Sequence, residues 1–498
     1  MSKVISAARS KFSVSISYPP LISNKGQPFL AQNRQFQWTN TDNVILPVIP
    51  AYAATALDQK GFKVYWDDAI AEKITYRQWL TRLITRKPNL IAIESKTPVI
   101  KKHWKIISKI KKYLPEVLIV LMGDHVTALP EESLTNSLVD FVLTGGDYDF
   151  MLLNLVDHLT AKTKLEPGFY YRQNKKIVNT GKFALKHHSL DTLPIIDRDL
   201  TNWKLYGYDN TNFKYRPGAY IMSGRDCWWG KCTFCSWTTT HPFGTFRNFS
   251  VEHTINEIRN LVENYGIKEI FDDAGTLPAG RWLDDLCHQL IDTGLNNKVV
   301  IGCNMRFAAL SQQQYILMKK AGFRFILYGL ESANQKTLDK ICKNTKTSDA
   351  KRTLTMAKKA GLEPHLTIMI GYPWETKNDS LKTLNLARQL FKKGLADSLQ
   401  ATIVIPYPGT PLFKQCQEQD LLLTTDWNDY DMRQPVMKSP LASSEQQQLI
   451  QDLFKGILTP RFIFAKLFSI RNLNDIKHLY TYTLKYFKKL RDFPLNEK

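Results

Sequence analysis

Short apolar runs alternate with amphipathic stretches of helix length along most of the chain, and no other feature constrains its fold as tightly. In the first third the runs are 12–17, 62–66, 90–94, 117–122 and 141–143. The helix candidate 50–59 ends at Lys60-Gly61, and a basic one covers 101–112. Strands that alternate with helices form a parallel, doubly wound sheet whose ligand crevice lies at the carboxyl ends of the strands. The loops 124–127 and 145–147 are expected at such ends, with 123–125 as loop. Between about Thr163 and Pro217 the pattern breaks up around Pro167, Gly168, Gly181 and Pro194, which reads as a linker wrapping the surface.

Alternation resumes with six strand candidates, 219–223, 269–271, 299–303, 325–328, 365–370 and 398–405. Helix candidates at 251–265, 281–294, 311–321, 348–361 and 380–393 separate them. A barrel or partial barrel of parallel strands follows, with functional groups where strands end and loops begin.

At 498 residues the chain exceeds what one core supports, so two or three domains are expected. No run approaches the roughly 18 apolar residues of a membrane span. The start, MSKVISAARSKFSVSISYPP, lacks an apolar leader core, so the expected location is cytoplasmic. A net charge of +21 admits nucleic acid or an anionic membrane as partner without choosing between them. Residues 451–498 carry ten Lys/Arg against four Asp/Glu, interleaved with Phe454, Phe462, Phe464, Phe468, Tyr480, Tyr482 and Tyr486. Such a stretch is a helical module that packs on the body or touches a membrane interface.

The seven cysteines are odd in number, and Cys227, Cys232 and Cys235 fall within nine positions directly after a strand candidate. Clustered soft ligands in a reducing compartment indicate an iron-sulfur cluster or zinc. Structural zinc takes four ligands, and His241 completes a set of three Cys and one His. That alternative is a zinc-stabilised basic nucleic-acid-binding protein, although no nucleic-acid module is recognisable. A cluster with three cysteine ligands instead leaves one iron open to a chelating substrate.

The segment Cys227-Trp228-Trp229-Gly230-Lys231-Cys232-Thr233-Phe234-Cys235 resembles the cluster loop of the radical S-adenosylmethionine (SAM) superfamily, in the subgroup with an N-terminal cobalamin-binding-like domain. The family spacing is C-x3-C-x2-C; here it is C-x4-C-x2-C, with the aromatic Phe234 kept before the third cysteine. Similar phrases follow in family order: Ile270-Phe271-Asp272-Asp273, Gly302-Cys303-Asn304-Met305-Arg306, MKKAGFRFILYGLES ending at Glu331-Ser332, Met369-Ile370-Gly371-Tyr372-Pro373-Trp374-Glu375-Thr376, and Pro406-Tyr407-Pro408-Gly409-Thr410-Pro411-Leu412. The resemblance implies Cys227, Cys232 and Cys235 as ligands of a 4Fe-4S cluster. It implies Phe234, Asp272, Asp273, Arg306, Glu331, Ser332, Gly371, Pro373 and Tyr407 as SAM contacts. The fold it implies is an N-terminal Rossmann-like doubly wound sheet (12–160), a linker (161–216), a partial (β/α)6 radical SAM barrel (217–415) and a small basic helical module (416–498).

The activity so implied is reductive cleavage of SAM to methionine and a deoxyadenosyl radical, which abstracts hydrogen from an unactivated carbon of a small-molecule or lipid-like substrate. The electron comes from a flavodoxin- or ferredoxin-type donor. Phrases around Asp124, His125, Thr127, Gly145 and Gly146 resemble the cobalamin-binding-like domain, but the DxHxxG signature that supplies a cobalt-ligating histidine is absent. Either cobalamin binds without a protein histidine, or the domain has lost its cofactor. With cobalamin the expectation is methyl transfer; without it, a radical cyclisation, oxidation or rearrangement in lipid, pigment or natural-product biosynthesis.

Overall fold

A computed structural model describes residues 11–490 except 31–35, 42, 186, 458–459, 469 and 471–472. Residues 1–10, and Arg471, Arg491, Asp492, Glu497 and Lys498 of the basic module, lie outside the described residues.

The first sheet contains β1 (Ser13–Tyr18), β4 (Lys63–Asp68), β5 (Leu90–Glu94), β6 (Leu118–Met122) and β7 (Phe141–Leu143); a separate hairpin, β2 (Gln27–Phe29) with β3 (Gln37–Thr39), sits between β1 and the helix Val48–Gln59. Its order is β4-β1-β5-β6-β7, all parallel, so the direction of winding switches between β1 and β5. Strands covered on both faces are apolar throughout, and Leu90, Ile91, Ala92 and Ile93 are fully buried. Local chemistry sets the flanking helices: Tyr76–Arg86 opens on a capping box made by Thr75 and Gln78.

Two expectations are corrected. The supposed linker adds two antiparallel strands to the sheet edge, β8 (Phe169–Gln173) and β9 (Lys176–Asn179), with Phe141 paired to Tyr171. Its two-residue turn is Asn174-Lys175, at φ 51° and 65°, the geometry that matches strand twist; the Pro and Gly residues taken as breakers flank the hairpin. The supposed loop after β6 turns at Gly123 (φ 131°) into a short helix, Asp124–Ala128, because a Cβ at Gly123 would lie 2.0 Å from the Ser95 carbonyl oxygen.

The second sheet opens with β10 (Gly218–Ile221), after which a two-residue ribbon, β11 (Gly224–Arg225) with β12 (Arg247–Asn248), closes the base of the cysteine loop. Then come β13 (Glu269–Asp272), β14 (Val300–Met305), β15 (Phe323–Glu331), β16 (Glu363–Ile370) and β17 (Ser398–Ile403), parallel and in sequence order. Helices Val251–Tyr265, Arg281–Asp292, Gln312–Lys320, Thr347–Lys359 and Lys377–Lys392 lie between them, as in a curled half-barrel. Helix Ser443–Ile457 docks through buried Ile450, Leu453 and Phe454, and Phe462 packs edge-on against Phe391. Phe464, Phe468 and Tyr480 of the last two helices remain exposed. No helix among the described residues is long and apolar enough to cross a membrane.

Candidate active site

The cysteine loop leaves the carboxyl end of β10 and is pinned on three sides. Thr233 N donates to Ile341 O at 3.0 Å, Leu412 N to Thr233 O at 2.9 Å, and the Trp228 and Trp229 indoles donate to Leu277 O and Cys342 O. The longer first interval turns at Gly230, φ 57°. All three thiols are half-buried and line one cavity of about 410 Å³ that descends into the half-barrel. Burial raises the thiol pKa of Cys232 and of Cys235. Cys227 Sγ lies 3.1 Å from Thr276 Oγ1.

Cations face the thiols. The Arg306 guanidinium stacks 4.5 Å from the Trp229 ring centroid and donates to Lys343 O, while Lys343 Nζ lies 2.9 Å from Glu331 Oε1. Glu331 ends β15 at φ 59°, beyond a register shift, and Gly329 leaves room for the pair: a Cβ there would lie 2.2 Å from Glu331 Oε1 and 2.5 Å from Lys343 Nζ. Asp226 Oδ1 accepts from Gly275 N at 2.6 Å, while Oδ2 is buried without a partner among the described residues. Burial, reinforced by Asp273, pushes this carboxyl up to about 8. Asn304 Nδ2 donates to Ala274 O, leaving its buried Oδ1 beside the cavity without a partner among the described residues.

Of the residues expected at the site, Phe234, Arg306 and Glu331 line the cavity with the three cysteines. The others stand behind its wall. Asp272 Oδ1 accepts from Ser223 N and Ala274 N, and Asp273 N donates to Ile221 O, so both brace the loop. Ser332 Oγ donates to Glu375 Oε1 at 2.6 Å, and Tyr407 OH to Tyr430 O at 3.0 Å. Gly371 (φ 100°) backs onto Gln446, followed by buried Tyr372 and half-buried Pro373. Asp226, Thr276, Asn304 and Lys343 were not anticipated. Counting back two residues from Arg306 along a strand finds Asn304, and counting on from Asp272 finds nothing comparable for Lys343, which sits in a loop with no pattern.

In the N-terminal half, His125 is fully buried and both ring nitrogens are engaged, Nε2 with Glu132 Oε2 at 2.8 Å and Nδ1 with Thr97 Oγ1 at 3.2 Å. Asp124 Oδ2 accepts from Lys96 Nζ, and Thr127 Oγ1 bridges Gly123 O and Gly145 N. Gly145 and Gly146 pack against the rings of Phe183 and His241. A Cβ at Gly146 would lie 2.1 Å from the His241 ring, and burial lowers that imidazole to about 3. Among the described residues no three His, Cys, Asp or Glu side chains are grouped to hold a single ion, so the alternative of three Cys and His241 around one zinc finds no support in the geometry. The three thiols instead share the lining of one cavity.

The family described as the radical SAM superfamily matches residues 221–387. An uncharacterized methyltransferase of Pyrococcus horikoshii is 29% identical over 81% of this chain and 86% of its own length. The anaerobic magnesium-protoporphyrin IX monomethyl ester cyclase of Cereibacter sphaeroides is 25% identical over 79% of this chain and 63% of its own length. Among solved structures, the radical SAM methyltransferase TsrM of Kitasatospora setae, determined with cobalamin and a 4Fe-4S cluster bound, superposes with a TM-score of 0.68 at 13% identity, covering 90% of this chain and 89% of its own. Six parallel strands curled around a thiol-lined mouth span the stretch that matches the radical SAM superfamily, and with the doubly wound sheet before them the chain shares the fold of that cobalamin-bound methyltransferase structure.

Proposed function

We propose that Cys227, Cys232 and Cys235 ligate a 4Fe-4S cluster, and that the chain couples SAM cleavage there to methylation of an unactivated carbon. The observation that carries this reading is the convergence of three thiols on one cavity at the carboxyl ends of the strands, with no fourth cysteine lining it. A bound cluster with SAM supplies one-electron cleavage of the sulfonium. The chain's part is positional. Arg306 and Lys343 offset the negative charge of a thiolate-ligated cluster, and Asn304 Oδ1 and Glu331 are acceptors for an amine or a ribose hydroxyl. Asp226 lies beside the thiols in the same cavity lining, and the Trp228 and Trp229 indoles tie the loop to the Leu277 and Cys342 carbonyls.

A corrinoid in the N-terminal domain fits this chain without a histidine ligand, since both His125 nitrogens are committed. Asp124 and Thr127 on the short helix after β6, and Gly145 and Gly146 on the loop after β7, are the candidates for holding it. When bound it supplies a methyl carrier. The Pyrococcus relative supports methyl transfer, and the cyclase relative supports a second reading, radical ring closure without it.

The test is anaerobic turnover of protein reconstituted with iron, sulfide and hydroxocobalamin. Formation of S-adenosylhomocysteine alongside deoxyadenosine supports methyl transfer. Deoxyadenosine alone, equal with and without corrinoid, would favour the cyclase-type reading, and neither product would overturn both.

A further inference from the structure

Below the thiols the cavity changes character. Tyr220, Phe271 and Phe325 stand in register on β10, β13 and β15, and form an edge-to-face row with ring centroids 6.4 Å and 6.1 Å apart. Gly302 occupies the intervening place on β14; a Cβ there would lie 3.0 Å from the Phe271 ring, so the glycine lets the row close. On the facing edge of the half-barrel, Thr367 on β16 is the register partner of Gln400 on β17, and Thr402 follows one inward position higher. All three side chains line the cavity, and none hydrogen-bonds to another group among the described residues.

The charges at this depth are already matched. Arg324 lies between the carboxylates of Glu269 and Glu363, bonded to both, and His365 Nδ1 is bonded to Ser398 Oγ at 2.7 Å. No cation of the floor is left to a ligand's anion, whereas an amide and two hydroxyls are. Burying a carboxylate or phosphate there would desolvate it without a partner, while a neutral carbonyl or amide would find both donors and acceptors.

We infer that the lower cavity is the substrate subsite, and that it takes an apolar aromatic or conjugated ring bearing an uncharged carbonyl or amide group. The ring lies along Phe271 and Phe325, and the polar group meets Gln400, Thr367 and Thr402. The inference rests on the proposed radical SAM site above it, which must place the reacting carbon within the same cavity.

A matched pair of probes tests it, 2-naphthamide and 2-naphthoate, titrated into anaerobically reconstituted protein with SAM and followed by calorimetry. Saturable 2-naphthamide binding at least tenfold tighter than 2-naphthoate is expected. Gln400→Leu should weaken 2-naphthamide at least fivefold and leave naphthalene unchanged, and Thr402→Val should weaken it in the same direction, with melting temperature as the folding control for each. Equal or tighter naphthoate binding, an unchanged preference in both variants, or no binding of either probe overturns the subsite. Deoxyadenosine formation by the same wild-type preparation reports separately on the site above: if cleavage is intact and the amide preference absent, only the subsite fails.

Discussion

Arg225, two residues before the first cysteine of the loop, places its guanidinium 2.6 Å from the carboxylate of Asp149 in the first turn of helix Tyr148–Ala161, both side chains fully buried. The same guanidinium meets Asp147, which also binds Arg247 and His188, so the cysteine loop is bolted to the N-terminal sheet through charge. Removing one partner strands a buried ion. Asp149→Ala is expected to lower unfolding free energy by about 3 kcal/mol or more, and the double variant Arg225→Met with Asp149→Leu to recover at least half of that. Urea denaturation of the two variants checks the ordering.

His188 gives the same junction a pH dependence. Burial opposes its charge, but hydrogen bonds to Asp147 at 2.8 Å and Glu166 at 3.1 Å outweigh it and push the imidazole up to about 9. A group raised from its unfolded value of about 6.5 contributes stability that is complete below that pH and fades as pH climbs through the folded value. Unfolding free energy measured from pH 6 to 10 should fall between about 6.5 and about 9 and level off above, and His188→Gln should flatten the fall.

Gly146 packs directly against the ring of His241, the residue after the short helix Trp237–Thr240 that follows the cysteine loop. Gly146→Ala is expected to cost about 1–3 kcal/mol, since a ring held in a packed interface has to move. Adding His241→Ala opens the space, so the double variant should melt above Gly146→Ala alone. Calorimetric melting temperatures decide the point.

The elements were legible because they are local. The 251–265 helix carries its own cap at Ser250 and its own stop at Gly266, and the spacing of the six barrel strands follows from helices long enough to return the chain. What the chain hides is the destination of side chains. Ser332 and Tyr407 lie in recognisable phrases, yet their hydroxyls are spent on Glu375 and on the Tyr430 carbonyl, partners that are remote in sequence. His125 went the same way, to Glu132 and Thr97. The hairpin of β8 and β9 was missed because its turn uses Asn174-Lys175 rather than a glycine pair. Lys343 reaches Glu331 from a loop with no periodicity, and the row Tyr220, Phe271 and Phe325 exists only once three strands are in register.

Cys232 is the sharpest single lesion, because the charges of both Lys343 and Arg306 act on its thiol. Cys232→Ala should fold, with a melting temperature within a few degrees of wild type before reconstitution, and yet take up iron without forming an intact cluster. Iron and sulfide analysis with the visible absorbance near 400 nm, of the order expected for a thiolate-bound cluster, reads this directly.

The most direct test of the open-iron site is Mössbauer and electron paramagnetic resonance spectroscopy of anaerobically reconstituted, reduced protein, with and without SAM. A 4Fe-4S signal in which one iron alone shifts on adding SAM, accompanied by deoxyadenosine, is the expected result. Four equivalent, SAM-insensitive irons, or a colourless protein holding zinc, would contradict it.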